Sequence, residues 1–134
     1  MASLFSSSSS LWSAIWACLS APTVAPVLLL LVSNVFMTFA WYGHLRYPGQ
    51  PLWLVVLASW GIAFFEYWLA IPANRIGHAA YAAAELKAMQ EVITLVVFAG
   101  FSVIVLGERI TVNHGVGFAL IAAGAFFVFK APLP

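Results

Sequence analysis

In the stretch Trp60-Gly-Ile-Ala-Phe-Phe-Glu66-Tyr67-Trp68-Leu-Ala-Ile-Pro72-Ala-Asn74-Arg75, one carboxylate sits among aromatic and aliphatic residues. The stretch continues an apolar run that begins at Leu52. Together they give about 20 residues of helix, enough to cross roughly 30 Å of hydrocarbon. An ionised carboxylate there costs about 3 kcal/mol on insertion scales, so Glu66 needs a partner, a proton or a water-filled cavity. Two readings stay open. Glu66 is a functional acid inside the span, or it lies near the span's end and pairs at the interface with Arg75, where long side chains snorkel. Pro72 lacks a backbone donor and is expected to end or kink the helix just after the acid.

Working outward, the same apolar character recurs. Of the 134 residues, 64% are hydrophobic and 7% are charged, far from the balance of a soluble domain. Four runs are long enough to span: about 24–42, 52–71, 86–106 and 115–129. The chain reads as all-α, a polytopic membrane protein with one four-helix transmembrane domain over 23–134, placed as a multi-pass protein in the cell (inner) membrane. The net charge of +1 argues against nucleic acid as a partner. The single cysteine, Cys18, excludes an intrachain disulfide and any multi-cysteine metal site.

Residues 1–22 read as a flexible or interfacial extension. The run Leu11 to Leu19 is too short to span and lacks the basic flank of a signal segment. Trp12 and Trp16 suit the headgroup layer. The first span carries Ser33, Asn34 and Thr38, the last two sharing a face at a spacing of four. Pro26 falls in its first turn, where a missing donor costs nothing. Ala73 to Ala84 reads as a loop leading into an amphipathic helix start. Lys87 and Glu91 then stand one helical turn apart and can pair. In the fourth span Gly115, Ala119 and Ala123 recur every four residues, with Gly117 and Gly124 beside them. Small residues let helices approach closely in lipid, so Gly117, Ala119 and Gly124 form a candidate packing face, within one protomer or between two.

The chemistry of soluble enzymes is missing. His44, His78 and His114 stand in separate loops without metal-ligand spacing, and the chain has no Asp. No glycine-rich phosphate loop precedes a helix. The expectation is a protein that is not an enzyme, with no metal and no cofactor.

Several runs resemble a known family. Leu106-Gly107-Glu108-Arg109-Ile110-Thr111, followed by a Gly/Ala-rich span and a terminal lysine, is similar to the end of a drug/metabolite transporter repeat. A closer resemblance is to an uncharacterised family of small four-span membrane proteins grouped with that superfamily. It rests on Ser33-Asn34-Val-Phe-Met-Thr38-Phe-Ala-Trp41-Tyr42-Gly43-His44, on Trp60 to Tyr67, on Pro72-Ala-Asn74-Arg75, and on Leu86-Lys87 with Gln90-Glu91-Val-Ile-Thr94-Leu. The resemblance implies a bundle like that of the small multidrug resistance exporters, which are proton-driven dimers of four-span protomers. Those exporters hold their essential glutamate in the first span. Here the first span has Asn34 and no acid, so no exporter residue carries over.

The expected function is therefore a small membrane transporter, proton-coupled, moving a small molecule or ion as a homo-oligomer, with a dimer as the simplest form. Glu66 is the first candidate for the coupling acid and Glu91 the second, with Asn34, Tyr67, Trp60 and Arg75 around the site. Aromatic rings beside a carboxylate suit an organic cation. The alternative is a non-transporting interaction or assembly subunit whose polar residues only join helices. Loop charge gives little orientation. Arg75, Lys87 and Lys130 fall on one side of a four-span chain, Arg46 and Arg109 on the other. So small a bias is compatible with insertion both ways round, and dual insertion would permit an antiparallel dimer.

Overall fold

The computed structural model describes residue 13 and residues 16–129. Four helices carry the fold: α1, Ala25–Tyr42; α2, Leu52–Gly77; α3, Ala83–Phe101; and α4, Val112–Val128. No strand occurs among the described residues. A 3-10 turn, Gly43–Arg46, prolongs α1, and a π-helical turn, Ser102–Leu106, prolongs α3. With these extensions, three helices are long and apolar enough to cross a membrane, and α4 is a shorter apolar helix. Their outer faces are bare of polar cover: Trp68 is 70% exposed and Ile104 83%. Soluble monomers do not expose apolar surface on this scale. This is the surface of a multi-pass membrane protein in contact with lipid.

The ends of the helices follow from local chemistry. Pro26 occupies the first turn of α1, as expected. Pro51 stands at the entry to α2 with extended backbone. The α3 start is capped from within, because Glu85 Oε2 accepts the Ala82 N–H at 2.7 Å. At the far end Gly107 adopts φ 73°, a left-handed stop that an L side chain resists. Thr111 caps α4, its hydroxyl accepting the His114 N–H, while His114 Nδ1 accepts the Thr111 N–H at 3.2 Å.

Of the two outcomes expected at Pro72, an end or a kink, the end does not occur: α2 continues through it to Gly77. Losing one intrahelical bond costs less in lipid than ending a helix, which leaves several backbone groups without partners. For the same reason Ala73 to Gly77 is helix rather than loop, and the connection narrows to His78–Ala82 before α3. Of residues 1–22, positions 16–19 are helical and exposed, with Trp16 68% exposed. Trp12 lies outside the described residues.

Packing places α1 in the middle. It lies along α2 on one side and α3 on the other; α2 and α3 barely touch, and α4 packs on the outer side of α3. The contacts give the directions. Ser33 meets Glu66, and Pro26 meets Gly77, so α1 and α2 are antiparallel. Asn34 meets Thr94, and Phe39 stacks edge-on against Phe101, so α1 and α3 are parallel. The Tyr81 hydroxyl donates to Thr23 O at 3.1 Å, tying the α2–α3 turn to the entry of α1. The seam of α2 against α1 runs Glu66, Ala70, Ala73 and Gly77, all buried at a spacing of four, three and four. Small residues at such a spacing let two helices approach closely.

Candidate functional site

The site starts from two adjacent residues of α1. Successive helical positions turn by about 100°, so Ser33 and Asn34 face different neighbours. Ser33 points to α2, where its Oγ donates to Glu66 Oε1 at 2.5 Å. Asn34 points to α3. Its Nδ2 donates to Leu30 O at 2.8 Å, and its Oδ1 accepts from Thr94 Oγ1. Thr94 Oγ1 also lies 2.8 Å from Gln90 O, so its single proton faces two acceptors. One turn along, Thr38 Oγ1 donates back to Asn34 O at 2.7 Å. Ser33, Asn34, Thr38 and Glu66 are all buried, Glu66 to 2% exposure.

Glu66 is therefore buried within α2 and not at its end. The helix runs on past it for 11 more residues to Gly77, about 16 Å at 1.5 Å per residue. Arg75 stands nine residues on, about half a turn round the helix, and is exposed. Among the described residues the ion pair is Lys87 with Glu91, at 2.5 Å. The carboxylate's second oxygen, Oε2, is buried with no hydrogen-bond partner. A buried polar atom left open in this way is uncommon and calls for an explanation. Two lone pairs on a carboxylate oxygen accept a proton, a water or a cation.

The other candidates fall elsewhere. Trp60 and Tyr67 turn outward, 69% and 57% exposed. Arg75 lines an open cavity at the α2–α3 turn with Asn74 and His78. Glu91 lies on the surface, held by Lys87. The structure thus brings Glu66 and Asn34 to the two sides of α1, and leaves Trp60, Tyr67, Arg75 and Glu91 off that interior. In α4, a side chain begun at Gly117 or Gly124 would meet nothing within 4 Å, and Ala119 borders the groove between α3 and α4.

Two members of the polar interior, Ser33 and Thr94, are absent from the candidate site residues read from the sequence. Ser33 and Thr94 are ordinary in apolar spans, because a hydroxyl can bond the carbonyl four residues back. Their signal was register: Ser33 lies seven residues after Pro26 and Thr94 three after Glu91, so each returns to a helix face already carrying a marked residue. A second polar group gathers at the π turn. Ser102 Oγ donates to Glu108 Oε2 at 2.6 Å, and Ser102 O accepts the Glu108 N–H at 3.0 Å. With Arg109 and His114 they line a cavity of about 260 Å³. π turns often mark functional positions.

Comparison with known proteins gives one match. Residues 26–129 fit the family described as "Putative member of DMT superfamily (DUF486)". No curated protein and no solved structure matches the chain. The match covers α1 through α4, with the Ser33–Glu66 and Asn34–Thr94 contacts inside it. The chain belongs to this family, one grouped with the drug/metabolite transporters.

Proposed function

We propose that the protein is a small drug/metabolite-type transporter of the inner cell membrane, proton-coupled through Glu66. One observation carries the reading: a carboxylate in the middle of a span, bonded on one oxygen by Ser33 and open on the other. A merely structural acid would use both oxygens, since an unsatisfied buried acceptor is destabilising. A transporter needs the opposite, an acceptor free to exchange a proton for cargo. Family membership supports the transporter class.

The working unit is a homo-oligomer of four-span protomers, a dimer in its simplest form. Helix α4 is the fourth span. Its 17 residues give about 25 Å of helix, a short span that local bilayer thinning accommodates. One protomer has few helices with which to enclose a path, and α2 and α3 meet only thinly. Trp60 and Tyr67 join Glu66 only across an interface with a second copy, where their rings would favour an organic cation. Glu91, once released from Lys87, is the second coupling acid.

The test uses the full chain in vesicles with a pH-sensitive dye inside and ethidium as the organic-cation probe. Ethidium movement with opposing proton movement is expected for the wild type. Glu66→Gln should abolish the coupling while the protein stays folded, and Glu91→Gln should reduce it less. Equal coupling in Glu66→Gln and wild type removes Glu66 from the mechanism. No cation-linked proton movement in the wild type favours the interaction-subunit reading.

A further inference from the structure

A second feature lies away from Glu66, where α1 turns into α2. A cavity of about 360 Å³ opens there between the 3-10 turn, the first half of α2 and the π turn. Its mouth carries His44, Arg46 and Gln50, and its wall is Leu54, Ala58 and Ile62 on α2. From Leu54 to Ile62 the wall runs about 12 Å along the helix axis. Binding cavities between helices have this composition, apolar walls with a few polar groups at one end.

Charge decides the occupant. The Arg46 side chain is exposed and makes no hydrogen bond or ion pair among the described residues. No acid lines the cavity. The chain's four acids are Glu66, Glu85, Glu91 and Glu108. Glu108, the one nearest this end, lines the neighbouring cavity and is bonded to Ser102. A guanidinium presents a planar fork of donors that matches a phosphate. The apolar wall below it runs in the direction that a lipid's acyl chain takes from its headgroup.

We propose that this groove holds an anionic phospholipid of the adjoining leaflet, its phosphate at Arg46 and one acyl chain along Leu54, Ala58 and Ile62. The site is distinct from the Glu66 interior and stands or falls independently of the transport reading.

The experiment uses the full chain in phosphatidylcholine vesicles doped with spin-labelled phosphatidylglycerol or spin-labelled phosphatidylcholine. The motionally restricted fraction of each label reports its retention by the protein. The wild type is expected to retain phosphatidylglycerol over phosphatidylcholine. Arg46→Gln should lower that preference about fivefold, the effect of one basic residue at an anionic surface. Ala58→Phe, which fills the wall without touching the charge, should also lower it. Arg109→Gln, a charge change at the same end outside the groove, should leave it intact. Equal retention of the two lipids by the wild type overturns the proposal. So does an equal loss with Arg109→Gln, which would mean diffuse surface charge, or a preference that survives Ala58→Phe. Stronger retention of a spin-labelled fatty acid than of phosphatidylglycerol would make the occupant a single-chain acid and overturn it as well.

Discussion

Ser33 and Asn34 are neighbours in sequence, yet each serves a different helix. Ser33 satisfies half of Glu66 and Asn34 reaches Thr94. Interhelical bonds of this kind in lipid are worth about 0.6 kcal/mol on average, up to about 1.7. Ser33→Ala removes the one partner of a buried carboxylate, so its cost should reach the upper part of that range, about 1–2 kcal/mol. Unfolding in mixed detergent micelles would measure it. Glu66→Gln keeps an acceptor for Ser33, so its cost in the same assay should be smaller than that of Ser33→Ala. The reverse order would mean that the Ser33–Glu66 contact does not hold α1 to α2. At this scale the sequence exposed Glu66 and Asn34, because a carboxylate and an amide are conspicuous in apolar runs. It did not expose their partners. Which hydroxyl meets Glu66 depends on the register of α1 against α2, set by residues 40 or more positions apart, such as Pro26 and Gly77.

Gly77 of α2 is packed within the protomer, whereas Gly117 and Gly124 of α4 are not. A side chain begun at Gly77 would come within 2.7 Å of Leu86 Cδ2 and 3.0 Å of Pro26 Cβ. The leucine tip can move, but the proline ring cannot, so Gly77→Leu should separate α2 from α1. The expected loss is about 1–3 kcal/mol, the usual cost of overpacking, measurable in the same micelle assay. Gly117 and Gly124 have open space instead. Leucine at either should leave protomer stability within about 0.5 kcal/mol, as at sites away from packing. If their face is the protomer–protomer contact, crosslinking in bilayers should show fewer dimers. Unchanged dimers would move the interface to another face. Helix positions were legible from hydropathy alone, because a run that must cross hydrocarbon leaves little choice of structure. The end of α2 was not. Pro72 carries a local signal to stop, yet the helix continues through it along the α1 seam of Ala70, Ala73 and Gly77.

At the scale of the whole molecule, the fold sorts its charges by end. The 3-10 turn with Arg46 packs beside the π turn that precedes Arg109, so these two arginines share one end. Arg75 and Lys87 share the other, near the Tyr81–Thr23 bond; Lys130 lies outside the described residues. Lys87 is tied to Glu91, and Arg46, on the lipid reading above, is neutralised by a phosphate. The charges free to act on orientation are then few on either side, and adding or moving one base can flip a topology when the bias is this small. Arg75→Ala combined with an extra lysine beside Arg46 should therefore shift the population of inserted orientations. Reporter fusions after Pro134 would read it directly. A wild-type chain that inserts one way only, and still does so after both changes, would mean that helix contacts rather than loop charges set the topology. The α1-centred packing would be the natural source, since α1 packs antiparallel to α2 and parallel to α3. An antiparallel dimer built from opposite insertions would then lose its support. A parallel assembly, with both Glu66 carboxylates at the same depth and reached from the same side, would replace it.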